Sequence, residues 1–240
     1  MPAGFRRPLF GMTTYADLFT PRQLVALDTF SELVGEVWQG VHREAANTSL
    51  PDGVPLNDGG AGARAYADAV VTYLGFAISK MADRGSSICT WFTERDSTRN
   101  TFARQAIPMT WDYAELNTLL EGTGSFLGAV EWTAESLDGV PSFAAPPSSS
   151  HQSDATSSIN GLVNPLISTD PPYYDNIGYA DLSDFFYVWL RRSLGAVYPD
   201  IFRTVLVPKG AELVATPYRF NGNKRRAQEF LRERTQRSVH

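Results

Sequence analysis

The sequence predicts an α/β protein with a mainly helical block at residues 1–140 and a strand–helix–strand unit within residues 159–240. Three observations support this prediction. Apolar side chains recur at helical spacing through two long stretches of the first block. A Pro/Ser-rich run over residues 141–158 separates the two parts, because such a composition buries little surface and is typical of a linker or surface loop. Apolar stretches around Leu166 and at 203–208 flank an amphipathic segment, which is the order of a β–α–β unit.

Two long helices are expected in the first block. The first begins at Thr20 and Pro21, an N-cap residue followed by one that favours the first helical position, and extends for about 25 residues. The second covers residues 64–84, where Gly75 weakens it slightly. Their apolar faces are expected to form the core. These faces consist of Leu24, Leu27, Phe30, Val34, Val37 and Val41 in the first helix, and of Tyr66, Ala69, Val70, Tyr73, Leu74, Ala77 and Met81 in the second.

Further helices are expected nearer the C-terminus. One short helix is predicted at 126–137. The segment 182–194 is amphipathic and predicts a helix whose aromatic stripe packs on a sheet, with Asp181 as its cap. Residues 228–237 are typical of a helix with a solvated face. The aromatic stripe comprises Leu182, Phe185, Phe186, Trp189 and Leu190.

One motif carries most of the chemical information in the chain, and it consists of Asp170, Pro171, Pro172 and Tyr173. Two prolines directly after an apolar stretch end a strand, because they prevent both helix formation and further ladder pairing. Asp170 then places a carboxylate at the C-terminal end of that strand, where open α/β sheets bind ligands. These four residues are named the Asp170–Tyr173 turn below.

The Asp170–Tyr173 turn suits the methylation of an amino group. The lone pair of a nucleobase amine is delocalised into the ring, so the nitrogen is a poor nucleophile. If Asp170 and the Pro171 carbonyl each accept one N–H, the nitrogen approaches tetrahedral geometry and its lone pair can point at a sulfonium methyl group. Positioning and fixed dipoles would supply most of the rate. Tyr173 would stack on a base flipped out of its duplex, and such stacking contributes about 1–3 kcal/mol.

The stretch from Thr169 to Arg192 resembles the large adenine-specific DNA methylases that carry a zinc ribbon elsewhere in their chains. The resemblance extends through Leu18–Leu24, Tyr66–Val70 and Arg99–Met109. It implies a Rossmann-like methyltransferase sheet, of which this chain would form the catalytic-loop half. It also implies methyl transfer from S-adenosylmethionine to adenine N6 in DNA, with the Asp170–Tyr173 turn as the catalytic loop.

The cofactor loop of that family, an Asp-Pro-Phe-type strand end followed by a glycine cluster, has no counterpart in this chain. Residues 58–62 are rich in glycine but follow no apolar strand, so we expect a flexible loop that leads into the second helix. The chain has a single cysteine, Cys89, and so cannot build a thiolate zinc ribbon. Its histidines are scattered and have no cysteine or acidic cluster at metal-ligand spacing, so we expect no metal site. The cofactor-binding residues are therefore unknown. The sequence therefore predicts one portion of a larger enzyme. This portion would need an upstream half or a partner subunit that carries the cofactor loop.

The charge distribution indicates DNA as a partner. The chain has a formal net charge of −5, yet residues 209–240 carry eight basic and three acidic side chains. A basic end can bind phosphates while the rest of the surface stays acidic. The alternative is a solvated helix face with no partner. Guanidinium groups also bind phosphates and base edges. The candidate DNA contacts are Tyr174, Arg99, Arg104, Lys224, Arg225 and Arg226.

The sequence also bears on the cellular location of the protein and leaves two alternative functions open. No apolar run approaches the roughly 20 residues that span a bilayer, and no secretory leader is visible, so we expect a cytoplasmic protein without a membrane partner. One other possible function is methylation of a different amine or amide nitrogen, in RNA or in a protein glutamine. The other is a non-catalytic remnant that binds DNA or a protein partner but not the cofactor.

Overall fold

The structure, a computed structural model, describes residues 11–103, 110–140, 178–210 and 212–238 and the single positions Leu166, Ser168 and Asp170. Helices make up most of this part. A short antiparallel hairpin pairs Trp91 with Thr98 and Phe92 with Ser97. The elements are α1 (Pro21–Asn47), α2 (Ala63–Arg84), β1 (Trp91–Phe92), β2 (Ser97–Thr98), α3 (Phe126–Asp138), α4 (Tyr179–Leu194) and α5 (Lys224–Ser238).

The predicted Rossmann-like α/β sheet is wrong, because the sheet of the described residues consists of β1 and β2 alone. Residues 203–208, predicted as a strand, are irregular. Side chains of α4 take the place of a neighbouring strand here. The Tyr187 hydroxyl donates to the Thr204 carbonyl at 2.9 Å, and the Asp184 carboxylate accepts from Val207 N at 2.9 Å. The strand predicted around Leu166 lies mostly outside the described residues.

The predicted start of α1 is confirmed. Thr20 is the N-cap and Pro21 the first helical residue. The Thr20 hydroxyl accepts from Gln23 N at 3.3 Å, and the Gln23 side chain accepts from Thr20 N at 2.7 Å. This reciprocal pair satisfies two backbone N–H groups at the helix start. Leu27 and Val34 are buried as expected, but Val37 is 38% exposed.

The prediction of α2 as a helix is confirmed, whereas its predicted core face is only partly right. Met81 and Ala77 are buried, but Tyr66 and Tyr73 are exposed. The helix packs instead through small residues, since a Cβ atom at Gly75 would lie 2.8 Å from Leu194 Cδ1 of α4. A glycine at this point lets the two helices approach closely, which large aromatic side chains would prevent.

The main core forms where α4 lies against α1 and α2. The predicted helix at 182–194 is confirmed, but its aromatic stripe packs on helices and loops rather than on a sheet. Phe185 is 1% exposed and stacks on Phe19, with ring centroids 5.5 Å apart. Phe102 meets Phe185 edge-on at 5.0 Å. Aromatic pairs of this geometry stabilise a core beyond the area that they bury.

Two further helices complete the described part. The helix predicted at 126–137 is confirmed as α3, and its first residue, Phe126, stacks on Phe30 of α1 at 4.3 Å. The C-terminal helix, α5, packs through Ala227 and Leu231 in a smaller apolar cluster of its own. None of the helices in the described ranges has the length and apolar character that crossing a membrane requires.

Candidate functional site

The Asp170–Tyr173 turn lies largely outside the described residues. Asp170 is described and exposed, while Pro171, Pro172, Tyr173 and the candidate base contact Tyr174 are outside. The described chain resumes at Gly178, and α4 begins one residue later.

A largely buried ion-pair network contacts the first turn of α4. Arg219 Nη2 lies 3.0 Å from Asp181 Oδ2 and 2.5 Å from Glu212 Oε2. The other carboxylate oxygen of Glu212 accepts from the backbone N–H of Ala180 at 2.8 Å. Exposed fractions of the Arg219, Asp181 and Glu212 side chains are 15%, 5% and 14%. A single guanidinium thus joins two carboxylates, and one of these holds the helix backbone. This set is named the Arg219 network.

Asp181 does not cap α4, contrary to the sequence prediction. Gly178 is the N-cap, and Asp181 lies in the first turn with its N–H bonded to the Gly178 carbonyl. A Cβ atom at Gly178 would stand 2.8 Å from Asp181 Oδ2 and 3.3 Å from the Tyr218 hydroxyl. The carboxylate lies close to the backbone where α4 begins, and its charged partner comes from a distant part of the chain.

Burial and the ion pairs act in opposite directions on the pKa values of Asp181 and Arg219. Burial raises the pKa of the Asp181 carboxyl, although the hydrogen bond and positive charge of Arg219 lower it in part. For Arg219, burial acts to lower the pKa, but hydrogen bonds to Glu212 and Asp181 outweigh it and raise the pKa. Burial also raises the pKa of Tyr15, as do the charges of Asp184 and Asp181, so its hydroxyl stays a donor.

A second buried acid lies one turn further along α4. Lys209 Nζ is 2.7 Å from Asp184 Oδ2, and Asp184 is 1% exposed. Asp184, Glu212 and Arg219 are not among the site residues predicted from the sequence. The available signal was the three-residue spacing of Asp181 and Asp184, which places both acids on one side of an otherwise aromatic helix.

The predicted DNA contacts lie on separate elements. Arg99 is exposed beside the hairpin, with its guanidinium carbon 4.4 Å from the centre of the Phe92 ring. Arg104 is outside the described residues. Lys224, Arg225 and Arg226 are consecutive exposed residues in the first turn of α5, where Arg225 Nε pairs with Glu229 at 3.0 Å.

The segment after the hairpin is held by Asp83 of α2. Its carboxylate accepts from Asn100 Nδ2 at 2.5 Å and from Phe102 N at 3.3 Å, while its backbone carbonyl accepts from Thr101 N at 2.6 Å. Burial raises the pKa of Asp83, and these hydrogen bonds partly oppose it. This arrangement fixes Phe102 at the aromatic core around Phe185.

The glycine-rich residues 58–62 form a loop before α2, as predicted. A Cβ atom at Gly60 would lie 1.9 Å from the Val54 carbonyl oxygen, and one at Gly62 would lie 2.3 Å from that of Pro51. The glycines therefore allow two stretches of this chain's own backbone to pack together. The space beside Gly60 and Gly62 is thus already occupied by the chain's own carbonyl groups.

A cleft of about 490 Å³ lies between α1, α2 and the turn after α4. Its buried polar group is Asp68, whose carboxylate accepts from Trp38 Nε1 at 2.7 Å and from Leu56 N at 3.0 Å. Both oxygens thus serve to join α1 and the loop at residue 56 to α2. The cleft is separate from the Arg219 network in its lining residues.

Comparisons with protein-family models, with curated proteins and with solved structures find no match to this chain. The resemblance of Thr169–Arg192 to adenine-specific DNA methylases therefore stays a prediction from sequence. Within the described ranges, no group of three or more His, Cys, Asp or Glu side chains is arranged to hold a metal ion.

Proposed function

We propose that this chain carries the target-amine site of a DNA adenine-N6 methyltransferase that uses S-adenosylmethionine, and that a separate half or subunit binds the cofactor. The Asp170–Tyr173 turn supplies the residue types that this chemistry requires, and DNA is the proposed partner. The proposal places no cofactor contact on the glycine-rich loop at 58–62, because the chain's own carbonyl groups occupy the space beside Gly60 and Gly62.

The observation that carries the proposal is the packing of the segments that resemble the methylase family. Phe19 belongs to one such segment, Phe102 to another, and Phe185 to the stretch that follows the Asp170–Tyr173 turn. These segments are far apart in the chain, yet the rings of Phe19 and Phe102 both contact Phe185. Two of the resembling segments thus support the same helix, α4, which begins at Tyr179 and belongs to the stretch that contains the proposed catalytic turn.

In the proposed reaction, the protein's work is to hold the adenine amine. Asp170 and the Pro171 carbonyl would each accept one N–H, which frees the nitrogen lone pair for attack on the donor's methyl group. The N–C bond would form as the S–C bond of the sulfonium breaks, S-adenosylhomocysteine would leave, and one amine proton would be released to solvent. Tyr173 would stack on the flipped base. S-adenosylmethionine supplies the methyl group when it is bound by the other half. Positioning of this kind can supply much of the rate of a transfer reaction.

The test is methyl transfer to DNA in cells that produce the chain together with the polypeptides encoded beside it. Nucleoside mass spectrometry of the DNA should detect N6-methyladenine with the wild-type chain and none with Asp170→Ala. Asp175→Ala is the matched control, since it removes a nearby carboxylate outside the turn, and methylation should persist. Equal methylation with Asp170→Ala would refute the role of the turn, and no methylation with the wild type would refute the proposal.

A second candidate is a module that binds DNA or a partner without catalysis. The helical architecture of the described residues favours it, because the only described sheet is the short hairpin of β1 and β2. This candidate predicts DNA binding by the wild-type chain and by Asp170→Ala with equal affinity, and no N6-methyladenine in either case. The same experiment therefore separates the two functions.

A further inference from the structure

We propose that the cleft between α1, α2 and the turn after α4 binds a small zwitterion with an apolar body, such as an amino acid that has an aromatic or aliphatic side chain. The inference goes beyond the proposed methyl transfer and does not depend on it, because it rests on the residues that line this cleft. Four features carry it: an apolar wall, a tryptophan held in place, two charged side chains, and a glycine that keeps space open.

The cleft has the size and the apolar wall of a small-molecule site. Its volume of about 490 Å³ lies within the range of roughly 300–1,000 Å³ that is usual for such sites. Three elements contribute apolar side chains: Val34 and Trp38 come from α1, Val71 from α2, and Val197 from the turn after α4. Val34 and Val71 are 3% and 1% exposed, so the cleft reaches down to the buried faces of both helices. An apolar group that enters it leaves water, which favours binding.

The aromatic part of this wall is fixed by the chain itself. Trp38 Nε1 donates to the Asp68 carboxylate at 2.7 Å, and the other oxygen of Asp68 accepts from Leu56 N at 3.0 Å. The Trp38 ring also stacks on the ring of His42, with centroids 4.9 Å apart and an angle of 11° between the planes. A side chain held from two directions loses little freedom when a ligand packs on it, which favours affinity.

The charges of the cleft favour a zwitterion. Three charged side chains line it, and among the described residues neither Asp58 nor Arg64 has an ion pair or a side-chain hydrogen bond. Both are exposed, so they are free to meet a ligand from solvent. A guanidinium binds a carboxylate through paired hydrogen bonds, and a carboxylate binds an ammonium group. A doubly charged phosphate would instead be repelled by Asp58 and by Asp68, the third charged residue.

Gly35 keeps one side of the cleft open. Glycine inside a helix lowers stability relative to alanine, so its presence in α1 needs a reason. At Gly75 that reason is the close approach of Leu194, but no atom of the described residues would lie within 4 Å of a Cβ atom at Gly35. Gly35 lines the cleft, and a side chain there would narrow it. Gly40 is equally open but is not part of the lining, which makes it a matched control.

Calorimetric titration of the full chain tests the inference, with L-phenylalanine as the probe and two of its analogues for comparison. Phenylpropionate lacks the ammonium group, and phenylethylamine lacks the carboxylate. Each should bind at least about tenfold more weakly than L-phenylalanine, because each leaves one charged side chain of the cleft without its counter-ion. Equal affinity of the three compounds would refute the recognition of a zwitterion.

Two charge variants assign each group of the ligand to its residue. Arg64→Met should weaken the binding of L-phenylalanine and phenylpropionate by about tenfold and leave that of phenylethylamine unchanged. Asp58→Asn should weaken the binding of L-phenylalanine and phenylethylamine by about tenfold and leave that of phenylpropionate unchanged. Both side chains are exposed, so the variants should fold. Wild-type affinity for L-phenylalanine in both variants would overturn the inference.

A leucine at position 35 tests the location of the site. Gly35→Leu should abolish the binding of L-phenylalanine by filling the cleft, while Gly40→Leu should keep wild-type affinity. Full affinity in a folded Gly35→Leu variant would overturn the inference, as would the absence of binding by both L-phenylalanine and L-leucine up to about 10 mM. If Gly35→Leu does not fold, the two charge variants decide the question alone.

Discussion

The hydroxyl group of Tyr15 donates a 2.6 Å hydrogen bond to the backbone carbonyl of Asp181, which joins residues 166 positions apart in the chain. The Tyr15 ring also lies edge-on to Phe185, with centroids 6.0 Å apart. One residue near the N-terminus thus contacts both the backbone and the aromatic face of α4. This contact connects the packing of the core to the position at which α4 begins.

Replacement of Tyr15 by phenylalanine tests this hydrogen bond. Tyr15→Phe keeps the ring against Phe185 and removes the donor, so we expect the free energy of unfolding to fall by about 1 kcal/mol. Urea denaturation followed by tryptophan fluorescence measures it. Tyr15→Leu should cost more, because it also loses the aromatic contact. Equal stability of wild type and Tyr15→Phe would contradict this prediction, because it would show that the hydrogen bond to the Asp181 carbonyl adds nothing to the free energy of unfolding.

The close approach of α2 and α4 at Gly75 gives a second prediction. A valine at this position would press on Leu194, which is 2% exposed, so Gly75→Val should lower the free energy of unfolding by about 1–3 kcal/mol. The matched control is Gly40→Ala in α1, where no atom lies within 4 Å of the new Cβ. That substitution should stabilise the protein by roughly 0.5–1 kcal/mol, because alanine favours helices. Thermal denaturation of both variants distinguishes local packing from helix propensity.

The helices could be predicted from the sequence because their signals are local. The Thr20 and Pro21 pair marks the start of α1 through its own chemistry, and the apolar period of α4 is contained within sixteen residues. The burial of side chains on α2 could not be predicted in the same way. Tyr66 and Tyr73 fit an apolar face by spacing, yet the neighbouring helices pack on small residues around Gly75.

The fold class was wrong because a local pattern does not reveal its partner. Residues 203–208 have the composition of a strand, but side chains of Asp184 and Tyr187 bind their backbone groups. The Arg219 network escaped prediction for the same reason. Arg219 is 38 positions from Asp181, and nothing in the sequence indicates that the two charges pair. Only the spacing of Asp181 and Asp184 pointed to this side of α4.

The raised pKa of Asp83 predicts a pH dependence of known sign. Burial raises the pKa above its ordinary value of 3.8, so the folded state holds this proton at pH values where the unfolded state has released it. The contribution of Asp83 to stability therefore falls as pH rises through that window. Asparagine does not titrate, so the stability difference between wild type and Asp83→Asn should shift in favour of the variant as pH rises from below to above 3.8.

Asp17 provides a control of opposite sign for this measurement. Its carboxylate accepts from Thr14 N at 2.7 Å and Thr13 N at 2.8 Å, and these hydrogen bonds lower its pKa. Its contribution is present above the ordinary pKa of 3.8 and is lost as pH falls through the lowered value. The stability difference for Asp17→Asn should therefore favour the wild type increasingly as pH rises. Urea denaturation across this pH range measures both differences, and parallel trends in the two variants would contradict the assignment.

The basic first turn of α5 gives the last prediction. Lys224, Arg225 and Arg226 are exposed at a helix N-terminus, where positive side chains oppose the helix dipole and a bound anion would be favoured. If these residues bind DNA phosphates, reversing all three charges to glutamate should weaken binding and lower the slope of log K against log salt concentration by up to about 3. Fluorescence anisotropy with a labelled duplex at several salt concentrations measures the slope. The control is Arg43→Glu, a charge reversal at an exposed position of α1, which should leave the slope nearly unchanged. An unaltered slope in the triple variant would show that the first turn of α5 faces solvent and does not bind DNA.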